Sequence, residues 1–186
     1  IQGREDLYSW TKPYIKAKPI LIYKAANRVF GNVDITVDIS SLASFPTGKT
    51  IAIETGSITY DKMSAEQKAL INSIGVFKEY SGYTQCKEAL DKNEVDMILA
   101  EGSLTSPLFD DLKTYARIHF SSSNTNCYGV AFKKGNDDKA KAITEALRNV
   151  YTSGTLKNNF FNYWNKFVLA DIEEPWTKFD QDWLLK

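Results

Sequence analysis

The residues best able to do chemistry in this chain are small hydroxyls, one arginine and one glutamate. Thr55-Gly56-Ser57-Ile58-Thr59 follows directly on the strand-like run Thr50 to Glu54 and precedes a helical pattern. In an α/β sheet, ligands collect outside the carboxyl ends of the strands. Backbone N–H groups and hydroxyls in such a turn make a site for an anion such as a carboxylate. By itself, a Gly-Ser turn after a strand is ordinary. Glu101-Gly102-Ser103 ends a second apolar run, Val95 to Ala100. A carboxylate at that strand end either caps a loop or accepts hydrogen bonds from an ammonium group. Arg4 is a guanidinium able to hold a carboxylate bidentately, although an arginine near a terminus is usually a surface residue. Together the three supply what an α-amino acid zwitterion needs.

Other chemistries lack their residues. His119 is the single histidine, which excludes any multi-histidine metal site, and it reads as a strand-end residue near a crossing segment. There is no P-loop, no G-x-G-x-x-G and no G-x-S-x-G, so no nucleotide cofactor is expected. The adjacent acids Asp110-Asp111 and Glu173-Glu174 read as solvated loop residues. Cys86 and Cys127 fit no metal spacing and no Cys-x-x-Cys motif. Two cysteines allow one disulfide or two buried thiols, which leaves the redox compartment open. Twenty-three basic residues balance 23 acidic ones, so a general electrostatic grip on nucleic acid or anionic lipid is not expected. No apolar run approaches the ~20 residues of a membrane helix, and the N-terminal Ile-Gln-Gly-Arg-Glu-Asp does not read as a signal peptide, which leaves open one removed on maturation.

The elements that must position these groups alternate between strand and helix. The 186 residues suffice for one large domain or two small lobes. Strands are expected at Ile20 to Lys24, Thr50 to Glu54, Val76 to Tyr80, Val95 to Ala100, Tyr115 to Ile118 and Cys127 to Phe132. Ser64 with Gln67 forms a capping box for a helix ending near Gly75. Thr84 is read as the cap of a helix through Leu90, and a short helix is expected around Ser106 to Leu112. Ala140, Ile143, Leu147 and Val150 define a helix at 3.6-residue spacing that Gly154 ends. Leu156 to Phe167 reads as a further helix, and the acidic, aromatic tail after Ala170 as a short docked one. Strands alternating with helices in this way indicate an α/β fold with a buried parallel sheet.

The order of these pieces resembles the bilobed periplasmic solute-binding proteins of the polar amino-acid family. Theirs is the type II periplasmic-binding-protein fold shared with ionotropic glutamate receptor ligand-binding cores. Four stretches carry the likeness. Arg4-Glu5-Asp6-Leu7-Tyr8-Ser9-Trp10-Thr11-Lys12-Pro13-Tyr14 is similar to the family's arginine motif and the Asp-Phe-Ser-x-Pro-Tyr after it. Gly48-Lys49-Thr50-Ile51-Ala52-Ile53-Glu54-Thr55-Gly56-Ser57 resembles Gly-Lys-x-Val-Gly-Val-x-x-Gly-Ser. Asn93-Glu94-Val95-Asp96-Met97-Ile98-Leu99-Ala100-Glu101 resembles the Gly-x-Val-Asp-Ala strand that ends in an acid. Tyr128-Gly129-Val130-Ala131-Phe132-Lys133-Lys134-Gly135-Asn136, with Ser153-Gly154-Thr155-Leu156 and Tyr163-Trp164, resembles the closing segment.

The resemblance implies that Arg4 binds a ligand α-carboxylate, Ser57 and Thr59 a carboxylate from the other lobe, and Glu101 the α-amino group. It implies one complete lobe, residues 40–120, and a partial lobe made of residues 1–39 and 121–186. Ile58 stands where the family commonly has Thr, the insert from Asn27 to Asp38 is long, and the family's first strands have no counterpart here. A longer chain, a partner or a swapped copy would complete the partial lobe; otherwise the protein is a shortened one that has lost the usual cleft. The implied function is a non-enzymatic periplasmic or extracellular protein holding an amino acid between two lobes for an ABC permease or a sensor. Two alternatives stand beside it: an interaction module without ligand, and a lyase of the cyclohexadienyl dehydratase type with Glu101 as general acid.

Overall fold

The structure, a computed structural model, describes residues 6–31, 37–102, 108–111, 113–120, 126–153 and 172–173. The chain divides into two compact units. One comprises Ile1–Ala17 with Asn126–Lys186, and the other is Lys18–Thr125.

The Lys18–Thr125 unit is built on a six-stranded mixed sheet. Its strands are β3 (Pro19–Lys24), β4 (Val37–Asp38), β5 (Lys49–Glu54), β6 (Gly75–Tyr80), β7 (Met97–Glu101) and β8 (Tyr115–His119), in the order β4-β8-β3-β7-β5-β6. β5 runs parallel to β6 and β7, whereas β3 lies antiparallel between β7 and β8. The sheet, expected to be parallel, is therefore mixed. Residues 18–39, grouped by the sequence reading with the C-terminal segment, lie in this unit. The reason is physical: Ile20, Leu21, Ile22 and Tyr23 are all fully buried, and a strand apolar on both faces must sit in a sheet interior.

Each face of the sheet carries its own core. Leu21, Tyr23, Ile51, Met97, Leu99 and Ile118 pack with Ile71 and Ile74 of helix α1 (Ala65–Ile74). Ile20, Ile22, Ala52, Ile98 and Ala100 pack with Tyr83, Cys86, Ala89 and Leu90 of helix α2 (Tyr83–Asp91). α1 begins with the expected capping box: the Ser64 hydroxyl accepts from the Gln67 N–H, and the Gln67 side chain accepts from the Ser64 N–H. α2 begins two residues earlier than expected, with Gly82 rather than Thr84 as its cap. After α2, Asn93 takes the left-handed conformation with φ 59°, the usual way to end a helix without glycine. It is the position where the resembling motif has Gly. Lys24 then ties β3 to this end, donating to the Asp91 carbonyl and Asn93 Oδ1 at 3.1 Å each. At the start of β5, Asp96 accepts from the Thr50 N–H at 2.8 Å and from Lys49 Nζ at 3.4 Å. The largest fully buried side chain is Arg117 on β8, which donates to the Phe109 carbonyl.

The other unit has two small sheets among the described residues. β1 (Tyr8–Trp10) pairs antiparallel with β10 (Ala131–Lys133), and β2 (Ile15–Ala17) lies between β9 (Asn126–Tyr128) and β11 (Ile172–Glu173). The single strand expected over Cys127 to Phe132 is thus two strands in different sheets, broken at Gly129-Val130. Ile172–Glu173 is a strand where a helical tail is expected. Buried hydroxyls join these pieces. Ser9 Oγ accepts from the Gly135 and Asn136 N–H groups at 3.1 and 3.2 Å, at the start of helix α3 (Asp137–Thr152). Thr11 exchanges two hydrogen bonds with Val130, and Thr144 of α3 accepts from the Lys12 N–H. The expected helix at Leu156 to Phe167 lies outside the described residues, as do Ser106, Pro107 and Leu112 of the expected helix around Ser106 to Leu112.

Two predictions follow from this packing. Gly75 opens β6 directly opposite Lys49, and a Cβ there would collide with the Lys49 backbone. Gly75→Ala should cost roughly 1–3 kcal/mol, read as a lowered urea midpoint at unchanged slope. Cys86 is a buried free thiol. Burial, reinforced by the Glu54 carboxylate, pushes its pKa up to about 11. The unfolded thiol ionises near ~8.5, so the unfolded chain holds fewer protons above that pH. Stability should be full below about pH 8.5 and fall as pH rises towards 11. Denaturation at stepped pH should show Cys86→Ala losing less than the wild type over that window; equal losses would contradict the burial.

Candidate functional site

Three strand ends of the six-stranded sheet converge on the sequence-predicted residues of this unit. β5 leaves the sheet at Glu54, and the chain turns at once: the Ser57 N–H donates to the Glu54 carbonyl at 3.0 Å across Thr55-Gly56. Gly56 has φ +74°, which is the requirement that places glycine here, and nothing lies within 4 Å of where its Cβ would be. The Thr55 N–H donates to the Tyr80 carbonyl at 2.8 Å, so the turn is fastened to the end of β6.

Beyond the turn the hydroxyls gather. Ser57 Oγ donates to Thr59 Oγ1 at 3.0 Å and lies 3.3 Å from the Thr59 N–H, which donates back to it. Thr59 is buried, while Ser57 is only half-buried and Ile58 points outward with 48% exposure. The phenol of Tyr83, the first residue of α2, joins them. Burial pushes its pKa above the ordinary range, hydrogen bonds with Ser57 and Thr59 act the other way, and the negative charges of Glu54 and Glu101 add to the burial. Glu101 ends β7 with only 3% exposure, opposite Pro19 of β3, and the Gly102 N–H fixes the position by donating to the Lys18 carbonyl at 3.1 Å.

The structure therefore brings Ser57, Thr59 and Glu101 to one end of one sheet. Arg4 lies outside the described residues. Thr59 is turned inward and orients Ser57 instead of facing solvent. Two further residues of the cluster escape sequence reasoning, Tyr83 and Glu54. The signal that could have found Tyr83 is the Gly82 cap, which puts residue 83 in the first turn of α2. A half-buried carboxylate, Glu54, sits 3.7 Å from the Cβ position of that same glycine. α2 has no side-chain cap and no acid in its own first turn, so Glu54 supplies negative charge to the helix N-terminus from β5. Beside Ser57 lies a cavity of about 280 Å³.

This arrangement can hold a polar ligand by hydrogen bonds from hydroxyls and by a buried carboxylate. Among the described residues no group of His, Cys, Asp and Glu forms a metal site. No helix among them is long and apolar enough to cross a membrane.

Neither a known protein family nor a curated protein matches the sequence. Solved structures do match. An amino acid ABC transporter substrate-binding protein from Streptococcus pneumoniae, bound to L-arginine, superposes with a TM-score of 0.64 at 19% identity, over 94% of this chain and 66% of that one. An ABC uptake transporter substrate-binding protein from the same organism, with bound histidine, gives 0.63 at 18%, over 90% and 65%. A polar amino acid uptake substrate-binding protein from Streptococcus thermophilus gives 0.57 at 19%, over 90% and 61%. The chain thus spans about two thirds of the length of the structures it matches. Its fold is the α/β type II fold of amino-acid ABC transporter substrate-binding proteins.

Proposed function

We propose that this chain is a non-enzymatic, extracytoplasmic solute-binding protein whose ligand is an amino acid, serving ABC-type uptake or sensing. The observation that carries this reading is the convergence of Ser57, Tyr83 and the buried Glu101 at the carboxyl ends of β5 and β7. Hydroxyls there complement a carboxylate, and Glu101 complements an ammonium group. Arg4, placed by the sequence likeness in the family's arginine motif, is the proposed partner of the ligand's α-carboxylate. Two of the matched structures hold arginine and histidine, ligands with this zwitterionic head group.

Ligand binding to the native state alone raises the melting temperature by mass action. A thermal-shift screen of the chain against the twenty amino acids should therefore show a shift with one or a few of them. Ser57→Ala and Arg4→Ala should each weaken that ligand, and Glu101→Gln should weaken it by tenfold or more, about 1.4 kcal/mol. A cooperative melt that no amino acid moves would overturn the reading. Turnover of prephenate or arogenate that is lost in Glu101→Gln would replace it with the lyase.

A further inference from the structure

The six-stranded sheet ends at β6, and among the described residues no strand pairs with its outer side. Natural sheets blunt such an edge with proline, bulges, charges or a very short strand. β6 runs six residues, Gly75-Val76-Phe77-Lys78-Glu79-Tyr80, without proline and in unbroken register with β5. Val76 is 69% exposed, more than any other large hydrophobic side chain among the described residues. The backbone of the strand alternates in direction. The Tyr80 carbonyl accepts from the Thr55 N–H, so Tyr80 turns its peptide groups to β5. Alternation gives Val76 and Lys78 the same direction and turns those of Phe77 and Glu79 to the open edge. The Gly75 N–H donates to the Ile71 carbonyl of α1, which leaves the Gly75 carbonyl for the edge.

A second copy of this strand fits that edge in one register. Two antiparallel strands related by a two-fold axis centre on one residue, which then faces itself, because directly opposed side chains share a face. Centring on Lys78 opposes two ammonium groups, and centring on Glu79 opposes two carboxylates; like charges so placed repel. Centring on Val76 or Tyr80 leaves half the strand or more unpaired. Centring on Phe77 meets none of these objections. The two Phe77 residues then exchange both main-chain hydrogen bonds, and each Glu79 N–H reaches the other Gly75 carbonyl. Val76 falls opposite the partner's Lys78. The Lys78 ammonium is drawn aside to Glu94, at 4.0 Å, and to the Tyr80 ring, 5.3 Å from its centroid, so its aliphatic stem is left to cover the valine. Phe77 already meets Tyr60 edge-on with centroids 4.9 Å apart, and the pairing joins two such ring pairs. With 23 basic and 23 acidic residues, no net charge holds two copies apart. We infer that the β6 edge is a self-association surface, on which two copies of this chain pair antiparallel about Phe77 to form one continuous sheet.

A pairing of this size makes a weak dimer, so sedimentation equilibrium of the full chain should show dissociation between about 1 and about 100 μM. Val76→Lys sets an ammonium opposite the partner's Lys78 and should weaken the dimer about tenfold. Val76→Glu sets a carboxylate there and should leave the dimer as tight or tighter. In the register centred on Lys78, Val76 meets the partner's Tyr80, and the two charges would act alike. Both variants change an exposed side chain, and unchanged thermal melting of the dilute protein checks that each is folded. Amide exchange followed by NMR gives an independent reading. The Phe77 and Glu79 N–H groups should gain protection as concentration rises, whereas those of Val76 and Lys78 should be protected throughout. A chain that stays monomeric overturns the inference and leaves the edge to an extended segment of another protein. A dimer that the two variants affect equally, or that leaves the Phe77 and Glu79 amides unprotected, overturns it as well.

Discussion

The antiparallel insertion of β3 between β7 and β8 is the constraint on which the rest of this unit depends. Its four residues Ile20 to Tyr23 are buried on both faces, so each contributes to one of the two cores. Burying side chains of this size is worth roughly 1.5–3 kcal/mol apiece. An edge position would also leave one side of its hydrogen-bond ladder unpaired. The register then fixes the candidate site. Pro19 opposite Glu101 sets where β7 ends, and a proline at that point has no N–H to lose from the ladder. Glu101 is thereby held at the margin of the core, where a carboxyl can be almost wholly buried and still face the end of the sheet.

The hydroxyl cluster follows from a second constraint, the need to satisfy buried polar groups. Thr59 and Tyr83 are both buried, and each would lose hydrogen bonds to water without a partner. Thr59 Oγ1 accepts from Ser57, and both lie beside the Tyr83 phenol, so the turn after β5, the segment leading to α1 and the first turn of α2 meet in one cluster. Ser57 remains half-buried and is the member able to reach a ligand. A site of this kind is preorganised by the fold: the buried residues keep the exposed one in place.

Local signals were readable wherever the residues that make an element also lie within it. The Ser64–Gln67 capping box, the apolar run of β7 and the 3.6-residue spacing of α3 each predict an observed element. Pairing was not readable. A strand apolar on both faces carries no mark of which sheet it joins, so the pattern of Ile20 to Tyr23 alone does not assign β3 its neighbours β7 and β8. Likewise Cys127 to Phe132 has the composition of one strand, and only the two pairings, with β2 and with β1, show that it is two. Ser57 and Glu101 were legible as strand-end residues of suitable chemistry. Glu54 and Tyr83 were not, because their part in the cluster comes from the approach of α2 to β5, a contact between distant segments.

Ile58 shows how the site can depart from its usual sequence and keep its chemistry. The resembling motif commonly has Thr after Gly-Ser, and an isoleucine there removes a hydroxyl. The turn geometry makes that loss local. Gly56 at φ +74° and the Ser57 N–H bond to Glu54 direct residue 58 outward, and residue 59 inward to Ser57 and Tyr83. The hydroxyl that the cluster needs is therefore the one at Thr59, and position 58 is left to solvent or to whatever covers the mouth of the site.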